Sequence, residues 1–275
     1  MFNSSQLLKN FTASLVMLFL SLQIQAQSTL VTIAEDPFAT STSLSNSYEF
    51  DFNDLNNGLN SNVSWDGVGT FDSLYIADAN VWGGALDEST GQASKFSWVG
   101  SSWTPTTTLT LNENSSYFGF WWSAGDPNNK LTFYNDDSIV AQYTTQSMFG
   151  SLNLSQDYYG NPLTGGNGGE PYAFINFYGD AETSWNKIEL TQTGGGGFES
   201  DNYTSRVATF NPETDSQEAL GEIIAEVSGT QTTNLDTPSE DWEWAFEESA
   251  PGAPTPPIFA LMFFVAAILK RKATN

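Results

Sequence analysis

The residues best suited to binding chemistry lie in one short stretch, where Trp121 and Trp122 are followed by Asp126 and Asn128. Adjacent residues of a β-strand face opposite ways, so a strand through the tryptophan pair would bury one ring and turn the other outward. An outward indole can stack on a sugar ring while amide and carboxylate groups bond its hydroxyls. The stretch is therefore a candidate sugar-binding site, and the alternative is that both rings fill the core or line the sheet edge.

A second polar pair, Asp201 and Asn202, is the best candidate for a metal site. Carboxylate and amide oxygens suit calcium, which often fixes the edges of jelly-roll domains. Asp126 and Asn128 offer a second cluster of such oxygens. Neither cluster has EF-hand spacing, and the alternative is a solvated turn whose side chains bond their own backbone. Calcium is the only cofactor that the sequence suggests.

Composition excludes several kinds of chemistry. The chain has no cysteine and no histidine, which removes disulfides, thiol nucleophiles, Cys/His zinc sites and a Ser-His-Asp triad. Its net charge is −24, and all 32 acidic residues lie between Glu35 and Glu248. Such a surface repels phosphate backbones, so nucleic acid is excluded as a partner. The basic residues of this central part are Lys95, Lys130, Lys187 and Arg206.

Carboxylates remain the main candidates for catalysis, since two of them can hydrolyse a glycosidic bond as acid and base. Nothing in the spacing of the 32 acids singles out a pair. We therefore assign no catalytic residue and expect a non-enzymatic protein. A secreted glycoside hydrolase or lyase that uses carboxylates is the alternative.

The elements that would position these residues are strands. Alternation with a period of two residues, as in Thr106 to Leu111, recurs between clusters of turn residues. The apolar residues show no helical periodicity. The chain from 27 to 209 is thus predicted to be all-β, an antiparallel β-sandwich of jelly-roll type. Asn135 to Asp137 is predicted to connect a hairpin. Predicted strands include 48–52, 74–77, 96–99, 117–122, 131–134, 139–143, 173–178, 188–191 and 198–203.

The N-terminus has the pattern of a signal peptide over residues 1–26. An apolar run from Phe11 to Leu22 is about as long as a signal-peptide core and too short to span a bilayer comfortably. Ile24 and Ala26 occupy the positions that signal peptidase recognises, which predicts cleavage after Ala26. A buried helix or a retained anchor is the alternative.

The C-terminal part begins with an acidic segment, 210–250, which is predicted to be a stalk. Residues 251–275 follow, with an uncharged run from Ile258 to Leu269 that would form a helix only about 18 Å long. A basic cluster, Lys270, Arg271 and Lys272, would stay on the cytoplasmic side of a membrane. This arrangement favours transient membrane retention.

Pro254, Thr255 and Pro256, the short apolar helix and the terminal basic cluster resemble the PEP-CTERM sorting signal of Gram-negative, biofilm-forming bacteria. In that family an exosortase removes the tail and passes the protein to the surface or matrix. Thr255 stands where the family motif has glutamate. A GPI signal and a simple tail anchor are the alternatives, although GPI signals end on apolar residues.

The segment from Tyr117 to Thr204 is similar to the single domain found ahead of many PEP-CTERM tails, which share a Gly-Phe-aromatic-Trp strand and a closing Phe-x-x-Asp-Asn strand. The resemblance implies an extracellular sandwich domain, distantly like carbohydrate-binding modules. The sequence therefore predicts an exported, non-catalytic surface or matrix protein of a Gram-negative bacterium. Its expected partners are signal peptidase, exosortase, the membrane through its C-terminal helix, and extracellular polysaccharide.

Overall fold

The computed structural model describes residues 29–206, apart from 43, 88–89, 101–103, 151–153 and 181, and the strand backbone at 222–225. The predicted signal peptide with Ala26, most of the stalk, and the sorting signal (Pro254, Thr255, Pro256, Lys270, Arg271 and Lys272) lie outside the described residues. Within the described part, no helix is long and apolar enough to cross a membrane.

The described chain is almost entirely antiparallel β, which confirms the predicted all-β, sandwich-like fold. Its one α-helix, α1, is a single turn at Thr145–Phe149, and a 3-10 turn spans Gln156–Tyr158. The strands are β1 (Thr29–Ala34), β2 (Tyr48–Phe50), β3 (Gly58–Trp65), β4 (Gly69–Ala77), β5 (Leu86–Asp87), β6 (Gln92–Ala93), β7 (Phe96–Gly100), β8 (Thr106–Ser115), β9 (Tyr117–Ser123), β10 (Asn129–Asn135), β11 (Ser138–Thr144), β12 (Ala173–Gly179), β13 (Trp185–Gln192), β14 (Gly197–Ser205) and β15 (Glu222–Ala225).

One large sheet runs in the order β11-β10-β13-β8-β4-β7-β14-β9-β12-β1-β15, with β2 on β14 and β3 on β4. It curves strongly and divides at β4, which pairs with β8 through Gly69–Phe71 and with β7 through Ile76–Ala77. The two halves pack face to face: Phe133 of β10 lies 5.2 Å from Phe177 of β12, measured between ring centroids. The main core lies between these halves.

The period-two patterns identified in the sequence correspond to strands, although β2 ends at Phe50, before the predicted end at residue 52. In β8, Thr107, Leu109 and Leu111 are buried, whereas Thr110 is exposed. The predicted hairpin is confirmed, because β10 ends at Asn135 and β11 begins at Ser138. Asp136 has a φ of 53°, in the left-handed region that aspartate tolerates better than most residues.

The half-sheet that contains β7, β14, β9 and β12 also has an outer face. A smaller cluster of apolar residues covers part of it, namely Ala85, Trp121, Ala124, Tyr172 and Phe174. Two segments contribute to this cover, the loop that follows β4 and the loop that precedes β12. The candidate site lies beside this cluster.

Candidate functional site

The floor of the site is a pair of strands, β7 and β14. Glu199 lies directly opposite Trp98 in the register, and Gly197 opposite Gly100. Phe198, between Gly197 and Glu199, points into the main core, so these two residues face outward. Trp98 and Glu199 are thus neighbours on the outer face of one sheet.

A clamped turn places an aromatic ring beside this floor. The side-chain oxygen of Asn80 accepts hydrogen bonds from the backbone N–H groups of Trp82, at 2.8 Å, and Gly83, at 3.2 Å. The Asn80 N–H donates to the carbonyl of Gly83 at 3.0 Å. The turn therefore has a defined shape, and it leaves the Trp82 side chain 53% exposed.

The glycine-rich loop before β12 is tied to the same turn. The Asn161 amide donates to the Asn80 carbonyl at 3.3 Å, and the Tyr172 hydroxyl donates to the Val81 carbonyl at 3.2 Å. Asn167 donates to that hydroxyl at 2.9 Å and also to the carboxylate of Glu170. These bonds bring Glu170 to the rim of the site.

A tight glycine turn brings in a further carboxylate. The Asp126 Oδ2 accepts a 3.1 Å hydrogen bond from the Gly197 N–H. A Cβ on Gly196 would lie 1.9 Å from the same oxygen, so a side chain does not fit there. Gly196 also has a φ of 98°, which glycine adopts freely. Glycine at 196 thus lets Asp126 approach β14.

Together these elements enclose a cavity of ≈ 410 Å³, within the size range of small-molecule sites. We call it the Trp82–Trp98 cavity. Aromatic, acidic and small residues line this cavity. They are Asn80, Trp82, Phe96, Trp98, Ala124, Asp126, Glu170, Gly196, Gly197 and Glu199.

The carboxylates of this cavity repel one another in a partly apolar setting. Burial, reinforced by the charge of Glu170, raises the pKa of Asp126 to about 6, although the Gly197 N–H opposes the shift. Burial and the charge of Asp126 raise the pKa of Glu199 well above its ordinary value. A desolvated carboxyl that holds its proton near neutral pH can act as an acid or donate a hydrogen bond.

Two polar groups in the cavity have few or no hydrogen-bond partners among the described residues. The buried Nε1 of Trp98 has no hydrogen-bond acceptor among the described residues. Glu199 is only 6% exposed, and within the same part of the chain the one N–H that bonds its carboxylate is its own. Buried polar groups are normally hydrogen-bonded, so both are free to bond a ligand.

Trp121 and Trp122 do face opposite sides of β9, as predicted: Trp122 lies in the main core and Trp121 in the smaller cluster. Both are 0% exposed, so the structure agrees with the alternative in which both rings are buried and not with an outward ring. Trp121 is on the outer face, but it packs against Tyr172 with ring centroids 5.7 Å apart. A loop far away in sequence covers it, which strand alternation cannot reveal.

Asp126 and Asn128, the polar partners predicted for that ring, separate in the structure. Asp126 lines the Trp82–Trp98 cavity, whereas Asn128 is not among the lining residues. The Asn128 carbonyl instead accepts a 3.1 Å hydrogen bond from the Thr193 N–H, beside the glycine turn. Of the two, Asp126 is the one placed to meet a ligand in this cavity.

Asp201 and Asn202 lie on β14 and are almost fully buried. The Asp201 carboxylate accepts from the N–H groups of Ala85, at 2.9 Å, and Asn202, at 2.8 Å, and from the Ser94 hydroxyl. The Asn202 amide donates to the Thr40 carbonyl at 2.8 Å. These are the contacts of residues that hold loops in place, and calcium binding by the pair stays a prediction. No set of three or more metal-binding side chains was found among the described residues.

Sequence reasoning missed Trp82, Trp98, Glu170 and Glu199. Glu199 carried a usable signal: it alternates with Asp201 on a strand that the sequence predicts, and two acids on one face of a buried strand are unusual. For Trp82 and Trp98 no such signal exists, because only the register of β7 on β14 and the turn at Asn80 bring them to one cavity.

Comparison with known proteins gives no relative for this chain: no family model, curated protein or solved structure matches it significantly.

Proposed function

We propose that this protein is an exported, non-catalytic surface or matrix protein of a Gram-negative bacterium whose β-domain binds a glycan in the Trp82–Trp98 cavity. The observation that carries the proposal is the lining of this cavity, which combines two indole rings with three carboxylates. Sugars present apolar ring faces and many hydroxyls, and so they match both kinds of group.

Each group has a plain role in such binding. The exposed ring of Trp82 stacks on the apolar face of a sugar. The carboxylate oxygens of Asp126 and Glu199 accept hydrogen bonds from hydroxyls, and the Trp98 Nε1–H donates to a sugar oxygen. A carboxyl group can bond a hydroxyl whether or not it carries its proton, so Asp126 and Glu199 help to orient the sugar in either state.

A glycan array with the purified protein tests this function. Trp82→Ala should weaken binding to the glycans that the wild-type protein binds on the array, by about tenfold, which is equivalent to about 1.4 kcal/mol. Phe38→Ala is the matched control, because Phe38 is also an exposed aromatic residue, at 60%, and does not line the cavity. An array on which nothing binds, or equal losses in both variants, would rule out glycan binding at this cavity.

Export and sorting rest on the two ends of the sequence. Mass spectrometry of the native protein should find a chain that begins at Gln27, after signal-peptidase cleavage, and that lacks Lys270, Arg271 and Lys272 after exosortase processing. A mature protein that still begins at Met1 would refute export. An intact basic tip would count against sorting.

One observation favours glycoside hydrolysis as a second candidate function. Burial raises the pKa of Asp126 to about 6, which suits a general acid. The charge of Glu170 adds to this shift, and the charge of Asp126 in turn raises the pKa of Glu199. Release of reducing ends from polysaccharides, lost in both Asp126→Asn and Glu199→Gln, would establish it. Binding without such release leaves the non-catalytic proposal in place.

A further inference from the structure

Three acidic side chains line the Trp82–Trp98 cavity, and none of its lining residues is basic. The three are Asp126, Glu170 and Glu199. Two of the described lysines are engaged elsewhere. Lys95 Nζ donates to the Leu55 carbonyl at 2.6 Å, and Lys187 Nζ lies 3.9 Å from Asp137.

Negative charge on these acidic side chains is unfavourable. Burial is the main reason that the pKa of Glu199 is raised, and the charges of Asp126 and Glu170 add to it. Buried charges are normally paired, because removing them from water costs free energy. A cation in the cavity would offset both the repulsion and the desolvation, whereas an acidic ligand would add to them.

The aromatic lining is suited to the same cation. Trp82, Phe96 and Trp98 border the cavity together with the carboxylates. Positive groups are attracted to the faces of aromatic rings, most strongly to tryptophan, and such aromatic cages bind ammonium groups. The rings therefore add to the attraction that the carboxylates provide.

A ligand that also carries an oxygen acceptor fits the cavity better. The buried Trp98 Nε1–H has no acceptor within the described part of the chain, and an ammonium group cannot supply one. A cavity of ≈ 410 Å³ is also far larger than a metal ion needs. A sugar that carries a free amine provides the cation, the acceptor oxygens and the size.

We propose that the cavity selects glycans with a protonated amino group, that is, polymers of hexosamine whose nitrogen is not acetylated. The inference rests on the proposed glycan-binding function and names its ligand class. In this arrangement the ammonium group lies among Asp126, Glu170 and Glu199, with the ring of Trp82 beside it. A hydroxyl of the sugar accepts the hydrogen bond of Trp98.

Two oligomers of equal length provide the test, one of glucosamine and one of N-acetylglucosamine, measured by isothermal titration calorimetry at pH 6.5. The glucosamine oligomer should bind at least tenfold more tightly. Glu199→Gln and Asp126→Asn should each remove most of this difference while leaving the far-UV circular dichroism unchanged. Asp137→Asn, which removes a fully exposed charge elsewhere, should leave it intact.

Equal affinity for the two oligomers, or a preference for the acetylated one, overturns the amino-sugar inference and leaves glycan binding standing. Binding of the glucosamine oligomer that none of the cavity variants weakens also overturns the inference, because that result means adsorption to the acidic surface. If Glu199→Gln does not fold, Asp126→Asn decides, since Asp126 is only half-buried. Failure of the glycan array is a separate result, and it removes the proposed function as well.

Discussion

The carboxylate of Asp201 accepts a 2.9 Å hydrogen bond from the backbone N–H of Ala85, 116 residues earlier in the chain. The Ser94 hydroxyl donates to the same oxygen and also to the Ala85 carbonyl, at 3.1 Å. Ala85 follows the turn that carries Trp82. One buried carboxylate on β14 therefore ties the loop that supplies an aromatic wall to the strand that supplies Glu199.

Replacing Asp201 with alanine should destabilise the fold. The change leaves the Ala85 and Asn202 N–H groups buried without an acceptor, which costs about 1–3 kcal/mol for each group. We expect the free energy of unfolding to fall by about 2–4 kcal/mol in urea titrations. Asp137→Ala is the control and should stay within about 0.5 kcal/mol of the wild type. Similar values for the two variants would contradict the role assigned to Asp201.

A methyl group on Gly197 should close the cavity. The Cβ would lie 2.2 Å from Glu199 Oε1 and 2.1 Å from Trp98 Nε1, so both side chains would have to move. We expect Gly197→Ala to weaken glycan binding by more than tenfold and to cost about 1–3 kcal/mol of stability. In Gly195→Ala, two residues away, the Cβ meets nothing within 4 Å, and binding should be unchanged. Normal binding by Gly197→Ala would show that the ligand does not use this part of the cavity.

Stability should rise as the pH falls from 8.5 to 5.5. Burial raises the pKa of Asp126 to about 6 and that of Asp201 to about 8, and it also raises the pKa of Glu199. A carboxyl with a raised pKa binds its proton more tightly in the folded state, so its contribution is present at low pH and is lost as the pH rises through the folded pKa. Thermal melts across this range measure the effect.

A matched variant separates these groups from general repulsion among the 32 acids. The Glu199→Gln variant has no titratable group at this position, so its melting temperature should depend less on pH than that of the wild type. Asp137→Asn should retain the wild-type slope. A melting temperature that rises with pH, or a Glu199→Gln slope equal to that of the wild type, would disprove the assignment.

Alanine substitutions should distinguish the buried Trp122 from the exposed Trp82. Trp122 is fully buried and stacks on Phe198 with centroids 4.7 Å apart, so Trp122→Ala should cost about 3–5 kcal/mol. Trp82→Ala removes an exposed ring and should change stability by no more than about 0.5 kcal/mol while reducing glycan binding. Chemical denaturation of the two variants side by side checks this. A large loss of stability in Trp82→Ala would make that residue a structural one.

Much of the fold could be predicted because its information is local. The alternation in Thr106 to Leu111 and the Asn-Asp turn at Asn135 each depend on a few neighbouring residues, and both correspond to the structure. Even the opposite orientation of Trp121 and Trp122 follows from strand geometry alone. Such features need no knowledge of which strands pair.

The site depends on contacts between distant residues, and there the sequence was insufficient. Whether Trp121 is exposed depends on Tyr172, and the position of Trp98 beside Glu199 depends on the register of two strands about a hundred residues apart. Asp126 was identified because it follows the tryptophan strand directly. Its pKa is raised mainly by burial and then by the charge of Glu170, which lies far along the chain.

The floor and the walls of the Trp82–Trp98 cavity differ in how freely they can change. Phe198 of β14 packs in the main core immediately beside Glu199, so altering the strand that forms the floor also disturbs the sandwich. Trp82 and Glu170 come from loops whose tips contribute little to that core. Natural variants or designed libraries can therefore change the exposed positions of these loops, such as Val81, Trp82 and Leu163, and redirect ligand preference. Asn80 and Asn161 must stay, because their hydrogen bonds hold the two loops together.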